Sequence, residues 1–319
     1  MKIATVTLNP AIDQTVRVDC FHPNTVNYAQ AMHFDAGGKG INVASFLADA
    51  GLTSTVTGFL GRDNADIFEQ FFASKHIDDQ FVRIPGRTRI GVKIVDEVSQ
   101  QTTDINMPGL APTEGAMDAL FKAIERLTAS CDWFVLSGTL PPGVPETTYA
   151  TLITQLKRHG KQVVLDTSRD ALRKGVLAGP TIVKPNVDEL KQLTGQSLTD
   201  EVALEQAARQ LLDGGIQLVV ISMGEHGAMF VDPAVTLIAV PPSVPVKSTV
   251  GAGDAMVAGL ITGKVRGLSL ADCARLATAF SLGAITSAGH NLPAPGAIQA
   301  YFQQVSVHLL AGVPRSVSL

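Results

Sequence analysis

The residues best suited to chemistry lie at Thr249-Val250-Gly251-Ala252-Gly253-Asp254, directly before an Ala-rich helical run, Ala255 to Arg266. Two glycines one residue apart permit a tight turn and leave backbone N–H groups uncovered by side chains. A helix starting there adds free amides and the positive end of its dipole, and both suit phosphate oxygens. Asp254 puts a carboxylate at the same place. A negative side chain is disfavoured beside anions unless it takes a proton from something. A general base next to a phosphate cradle is what phosphoryl transfer to a hydroxyl requires. An acidic residue in the first turn after a Gly-rich loop is also a common way to begin a helix. This segment alone leaves both readings open.

A second glycine motif, Ala36-Gly37-Gly38-Lys39-Gly40-Ile41-Asn42, precedes another helical run. Its amides could hold a phosphate or approach sugar hydroxyls, with the Asn42 amide adding hydrogen bonds; a flexible turn is the plainer alternative. The Walker A pattern is not matched, and no Gly-x-Gly-x-x-Gly follows the first strand, which removes the main support for a dinucleotide oxidoreductase. Gly86-Arg87-Thr88-Arg89 opens a strand with Lys93 on the face of Arg89. Guanidinium groups there could grip a phosphate bidentately under a closing lid, or simply keep a surface strand soluble.

Short β-rich runs alternate with helical ones through most of the chain. Strands are expected at 2–8, 54–60, 133–136, 162–166, 181–184 and 217–222. Helices are expected at 40–50, 64–75, 113–128, 146–159, 201–213, 255–266 and 270–286, the last capped by Ser269. That rhythm predicts a doubly wound, mainly parallel α/β sheet with helices on both faces. Residues 14–19 and 89–96 instead alternate with period two, as half-buried strands do. They predict a small antiparallel lid sheet inserted from about 14–36 and 82–107 into a single domain spanning 1–319. Such a sheet exposes an apolar face, and a homodimer through the lid would cover it.

In a doubly wound sheet, ligands bind beyond the carboxyl ends of the strands. Those ends here carry Asn9-Pro10-Ala11-Ile12-Asp13, Ser137-Gly138-Thr139, Asp166-Thr167-Ser168, Lys184-Pro185-Asn186-Val187-Asp188-Glu189 and Ser222-Met223-Gly224-Glu225-His226-Gly227. Polar and small residues recur at one edge, which points to a single cleft. Asp166 gains no role from this reading.

At 319 residues and 45% apolar content the chain can fill one large domain. A net charge of −4 argues against nucleic-acid or membrane-surface partners. The N-terminal residues 1–8 read as a strand rather than a signal peptide, and no apolar run approaches a membrane span, so a cytoplasmic protein is expected. Cys20, Cys131 and Cys273 fit neither a disulfide framework nor a zinc site, and the histidines show no ligand spacing.

Taken together, Gly37-Gly38-Lys39-Gly40-x-Asn42 and Ser248-Thr249-Val250-Gly251-Ala252-Gly253-Asp254 resemble the two signatures of the ribokinase-type, PfkB family of carbohydrate kinases. Asn186-x-x-Glu189 resembles that family's motif for magnesium and phosphate. The likeness runs in order from Thr7-Leu8-Asn9-Pro10 through Gly86-Arg87-Thr88-Arg89-Ile90, Asp104-Ile105-Asn106 and Ser137-Gly138 to the C-terminal helices. It is greatest to the sugar-phosphate branch of the family, with Gly91 a departure at one minor substrate contact.

The resemblance implies a ribokinase-like fold and an ATP- and Mg2+-dependent kinase. Its substrate would be a phosphorylated ketohexose: fructose 1-phosphate before fructose 6-phosphate or tagatose 6-phosphate. It implies Asp254 as base and Gly251, Ala252 and Gly253 as the anion hole. Asp13, Gly37, Gly38 and Asn42 would hold the sugar, and Lys39, Arg87 and Arg89 its phosphate, with Ser137 adding a hydrogen bond. Lys184, Asn186, Ser222, Gly224, Gly227 and Thr249 would contact ATP, the 270–286 helix would wall the adenine, and Glu189 would reach magnesium through water. A non-catalytic sugar-phosphate sensor could share the fold, but it would be expected to lose the base or the glycine pair, and this chain keeps both.

Overall fold

A computed structural model describes residues 1–99, 101–287, 289 and 291–310; the expected domain range reaches beyond them to 311–319, which lie outside the described residues. Runs that are apolar throughout form strands covered on both faces. In chain order these begin with β1 (Ile3–Thr7), which is followed by the lid strands β2 (Ala11–Val18) and β3 (Ala31–Gly37). The chain then returns to the main sheet at β4 (Ser54–Gly61), β5 (Asp78–Asp79) and β6 (Val82–Ile84). A second lid pair, β7 (Ile90–Asp96) and β8 (Gln101–Asn106), precedes β9 (Trp133–Ser137), β10 (Gln162–Asp166), β11 (Ile182–Val183) and β12 (Leu218–Ser222). The last strands are β13 (Ala228–Val231), β14 (Thr236–Val240) and β15 (Ser306–Leu309). The main sheet runs β15-β14-β13-β12-β11-β10-β9-β1-β4-β5, with β6 also on β4. It is parallel from β12 to β5 and antiparallel from β12 to β15. The mainly parallel α/β architecture predicted from the alternation is therefore present.

Helices cover both faces. They are α1 (Lys39–Asp49), α2 (Asp66–Lys75), α3 (Glu114–Leu127), α4 (Thr148–Arg158), α5 (Arg169–Leu177), α6 (Val187–Thr194), α7 (Glu201–Asp213), α8 (Ala252–Val265), α9 (Leu270–Thr286) and α10 (Pro295–Gln304). Leu120, Leu152, Leu156, Leu172, Leu190 and Leu204 bring α3 to α7 into one core. Phe46, Leu47, Val257, Ile261, Leu276 and Phe280 bring α1, α8 and α9 into the other. Each such side chain contributes roughly 1.5–3 kcal/mol by leaving water. α8 is apolar nearly all round, which is why it is central rather than amphipathic. Ser269 caps α9 as its sequence suggests, accepting from the Asp272 N–H at 3.1 Å.

The lid sheet runs β3-β2-β7-β8. Its outer pairs are antiparallel, but β2 and β7 at its centre are parallel. The reason is topological. Both strands leave the carboxyl edge of the parallel sheet, after β1 and after β6, so both head the same way. Val82–Ile84 pairs with β4, so the second lid segment starts at Ile90 rather than at 82. Register places Asp13, Gly91 and Asn106 side by side on one face, while Phe34, Val92 and Ile105 share the other.

Several elements escape the sequence reading. α8 begins at Ala252, three residues before the expected start, and β13, β14, α5, α6, α10 and β15 were not anticipated. β13 is four residues long, too short to show a period.

Candidate active site

The α8 N-terminus is built by Gly251, whose φ of 80° turns the chain into the helix. Because α8 starts at Ala252, Gly253 and Asp254 fall in its first turn, where N–H groups have no intrahelical acceptor. Asp254 is buried, and its Oδ2 accepts a hydrogen bond from Asn42 Nδ2 at 2.8 Å. Burial pushes the carboxyl up to about 6; Lys39 opposes that rise, Asp166 adds to it, and the Asn42 hydrogen bond opposes it.

Asp166, at the end of β10, is fully buried. Its Oδ1 is shared by Lys39 Nζ at 3.0 Å and Lys184 Nζ at 3.4 Å. Burial alone would raise this carboxyl, but Lys184 and Lys39 together outweigh it and hold it below the ordinary carboxylate range. Lys39 is correspondingly raised, chiefly by Asp166 and against its own burial. Lys184 also lies against the first turn of α8, since a Cβ on Gly253 would sit 3.2 Å from its Nζ. The cluster therefore balances two ammonium groups against two carboxylates at the mouth of the amide cradle.

The second glycine motif owes its sequence to close approach. A Cβ on Gly37 would fall 2.2 Å from Asp13 Oδ2, so only glycine lets that carboxylate lie on the backbone. Gly38 has φ 131°, and a Cβ there would meet Thr7 Cγ2 at 2.9 Å and Pro10 Cα at 3.2 Å. Ser137 Oγ, 3.1 Å from where a Cβ of Gly40 would stand, is buried without a hydrogen-bond partner, as are Asn42 Oδ1 and Asp166 Oδ2.

Arg89 belongs to a different group of partners. Its guanidinium donates to Asn9 Oδ1 (3.1 Å), the Asn9 carbonyl (3.3 Å) and Asn106 Oδ1 (3.2 Å). Half-burial lowers its pKa from the ordinary value while Asp13 opposes. Arg87 lies exposed nearby. Lys39, placed with the arginines by resemblance, instead shares Asp166 with Lys184.

A cavity of about 800 Å³ opens beside the cradle, lined by Asn186, Ser222, Gly224, Gly227, Thr249, Ala252 and Gly253. Its apolar wall includes Val244, Val246 and Met256 together with Leu282 and Ile285 of α9, the helix expected there. Glu189 lies outside it. Its Oε2 accepts the Asn186 N–H at 2.9 Å while Asn186 Oδ1 accepts the Glu189 N–H at 2.7 Å, a reciprocal cap on α6.

The profile of the pfkB family carbohydrate kinases matches residues 6–297. The chain belongs to the PfkB family. It is 48% identical to a 1-phosphofructokinase of Rhodobacter capsulatus over 314 residues, covering 98% of this chain and 99% of that protein. A 1-phosphofructokinase of Vibrio cholerae is 42% identical, covering 97% of each. Among solved structures, phosphofructokinase-2 from Escherichia coli in complex with fructose-6-phosphate superposes with a TM-score of 0.88 at 28% identity, covering 95% of this chain and 98% of that one. This PfkB kinase is thus an ATP-dependent phosphotransferase that acts on a sugar hydroxyl.

Three parts of this candidate site carry little signal in the sequence. Asp166 ends a strand and carries no motif; its signal was only its place at the common edge. Asn9 and Asn106 lie within matching stretches but are ordinary loop and strand residues by type. The 241–246 segment of the cavity was signalled only by Pro241-Pro242, a loop mark.

The electrostatics yield a stability prediction. Folding raises Asp254 from its ordinary range to about 6, so its ionised form costs stability above that pH and nothing below about 4. Asp254→Asn, which keeps an acceptor for Asn42, should melt several degrees higher than the wild type at pH 8. That advantage should vanish below about pH 4. Thermal melts across this pH range check it, and an equal or lower melting temperature at pH 8 would refute the assignment of burial as the dominant cause.

Proposed function

We propose that this PfkB kinase transfers the γ-phosphoryl of ATP to the C6 hydroxyl of fructose 1-phosphate, giving fructose 1,6-bisphosphate and ADP. The observation that carries the choice of sugar is the near end-to-end similarity to 1-phosphofructokinases, higher than that to the fructose-6-phosphate-bound neighbour. Fructose 6-phosphate and tagatose 6-phosphate are the rival substrates.

In this reading the sugar lies over Gly37 and Gly38, with Asp13 and Asn42 on its hydroxyls and Ser137 adding a hydrogen bond. Arg89, with Arg87, meets the phosphate it already carries. ATP occupies the 800 Å³ cavity, with Asn186, Ser222, Gly224, Gly227 and Thr249 around it. The C6 oxygen attacks the γ-phosphorus while its proton passes to Asp254, and the bond from the γ-phosphorus to the β-bridging oxygen breaks with its electrons on ADP. Amides of Gly251, Ala252 and Gly253, together with Lys184 and Lys39, face the charge that develops on the equatorial oxygens. Lys39 thus moves from the sugar phosphate, its place by resemblance, to the transferred phosphoryl, because its ammonium rests on Asp166 beside Lys184.

Magnesium fits this site as a companion of the nucleotide. Among the described residues no group of three or more acidic, histidine or cysteine side chains could cage a metal, and Glu189 has one oxygen occupied by its cap. That donor set suits an ion that keeps water and phosphate oxygens as ligands, with Glu189 holding one of the waters. When bound, it would offset triphosphate charge.

The wider reading is of one ribokinase-like domain carrying its lid, working in the cytoplasm, where charge retains its two phosphorylated substrates. Among the described residues no helix is long and apolar enough to cross a membrane. We read the lid as a dimer contact: Met32, Phe34 and Ile105 stay 57%, 41% and 46% exposed, and Phe34 and Ile105 flank Gln14 and Val92 across one sheet face.

Coupled assays should rank kcat/KM for fructose 1-phosphate at least ~10-fold above fructose 6-phosphate and tagatose 6-phosphate, and the reverse order would overturn the choice of sugar. Asp254→Asn should lower kcat by at least ~10²-fold with little change in KM for ATP. In the wild type kcat/KM should fall as pH drops through about 6, where Asp254 takes up a proton. Near-normal kcat in that variant sinks the base assignment. Sedimentation at micromolar concentration should show a dimer that Phe34→Asp converts to monomer; a monomeric wild type excludes the lid contact.

A further inference from the structure

We infer that Asn9 and Asn106 are positioning residues for substrate binding: their neutral oxygens hold the Arg89 guanidinium in place while leaving its charge for the phosphate on the sugar. The inference rests on the reading of Arg89 given above and extends it to two residues with no role so far.

Four other arginines make the contrast, although Arg266 too is held by a neutral acceptor, the Ala50 carbonyl. Arg17 donates to Glu97, Arg83 to Asp79 and Glu69, Arg209 to Glu205, and Arg275 to Asp272. Each of these guanidinium groups is fixed by a carboxylate that also cancels its charge. Arg89 is fixed by three oxygens as well, but two belong to side-chain amides and one to the backbone. Neutral acceptors satisfy the donors of a half-buried cation without neutralising it. An incoming phosphate then meets an oriented cation whose side-chain partners Asn9 and Asn106 carry no charge, with Asp13 the carboxylate that acts on it.

The Asn9 amide is itself held. Asn9 Nδ2 donates to Thr139 Oγ1 at 3.1 Å, which turns Oδ1 toward Arg89. Gly109 leaves the room for this amide, since a Cβ there would stand 2.1 Å from Asn9 Oδ1. Asn106 sits on β8 in register with Gly91 and on the same face as Asp13. A Cβ on Gly91 would lie 3.3 Å from Asp13 Oδ1 and 3.5 Å from Asn106 Oδ1, so the two side chains flank one gap. Asn9 follows β1 in the body of the fold, whereas Asn106 is on the lid. Arg89 therefore bridges the two parts, and its aim depends on both amides.

Replacing either amide by its isosteric acid separates charge from geometry. Asn9→Asp and Asn106→Asp keep an oxygen for Arg89 but supply a carboxylate that competes with the sugar phosphate. Each should raise KM for fructose 1-phosphate at least ~10-fold, with kcat and KM for ATP held within about twofold and the melting temperature not lowered. Arg89→Ala, measured in parallel, should raise the same KM. Should both acid variants bind the sugar phosphate normally while Arg89→Ala does not, the charge argument is wrong although Arg89 stays in the phosphate site. Loss of kcat and of both affinities together would mark the amides as merely structural and overturn the inference. An unchanged KM in Arg89→Ala would remove Arg89 from the site and the inference with it. Asn106 lies on an exposed strand, so its variant remains informative if Asn9→Asp fails to fold.

Discussion

The shared carboxylate of Asp166 is the interaction on which the cleft depends. An isolated buried carboxylate costs several kcal/mol, and two ammonium groups converging on one point repel each other. Each penalty is removed by the other here, because Lys39 and Lys184 both bond to Asp166 Oδ1. These three residues come from the start of α1, the end of β10 and the residue after β11, and Lys184 reaches on to the first turn of α8. The two glycine motifs are therefore tied through this oxygen atom as well as directly, by Asn42 donating to Asp254. Asp254 feels the same cluster, pulled down by Lys39 and pushed up by Asp166.

What could be read from the sequence was backbone chemistry that glycine announces. Gly37, Gly38, Gly251 and Gly253 each stand where a Cβ would meet something or where φ is positive, so their roles follow from residue type. Long apolar runs such as Val219-Val220-Ile221 likewise announce buried parallel strands, and the helices with full amphipathic turns sit close to where their periodicity placed them. Asp166 could not be found this way, because a carboxylate at a strand end looks like any polar loop residue until its partners from residues 39 and 184 fold onto it. Lys39 is the reverse case: its motif is plain, but the anion it faces depends on tertiary contacts. The parallel centre of the lid was hidden for a related reason. Period-two alternation reports which face is apolar and nothing about strand direction, which is set by where β1 and β6 end.

Two kinds of cation site follow from two kinds of partner. The lysine pair, Lys184 buried and Lys39 partly exposed, is carboxylate-bound, so its charge is largely cancelled before any ligand arrives. Arg89 is half-buried and amide-held, so the side chains that bond it leave its charge in place and Asp13 alone among the carboxylates named for it offsets that charge. In the proposed reaction the first set faces a phosphoryl group whose charge redistributes during transfer, and the second faces a phosphate that stays unchanged. A compensated cluster can turn toward developing charge without first binding the ground state too tightly, which favours kcat. An amide-held arginine contributes uniform binding and belongs with KM. In that proposed reaction, amide and carboxylate partners divide the site's electrostatics between recognition and catalysis.

The value of about 6 for Asp254 constrains how much work it can do as the proposed base. Such a carboxylate is ionised at neutral pH, so no proton must leave before reaction. It is also far too weak a base to deprotonate a sugar hydroxyl in advance of attack. Proton transfer must then accompany or follow bond formation to phosphorus, and its share of the acceleration is limited to ~10²–10⁴-fold. The remainder has to come from holding hydroxyl and phosphoryl in line and from the amides and lysines around the moving charge. Burial raises the carboxyl and Lys39 and the Asn42 hydrogen bond restrain it, so the same contacts that fix the geometry of Asp254 also keep it unprotonated at neutral pH. A site without Lys39 would hold Asp254 further above its ordinary range and lose the phosphoryl contact proposed for Lys39.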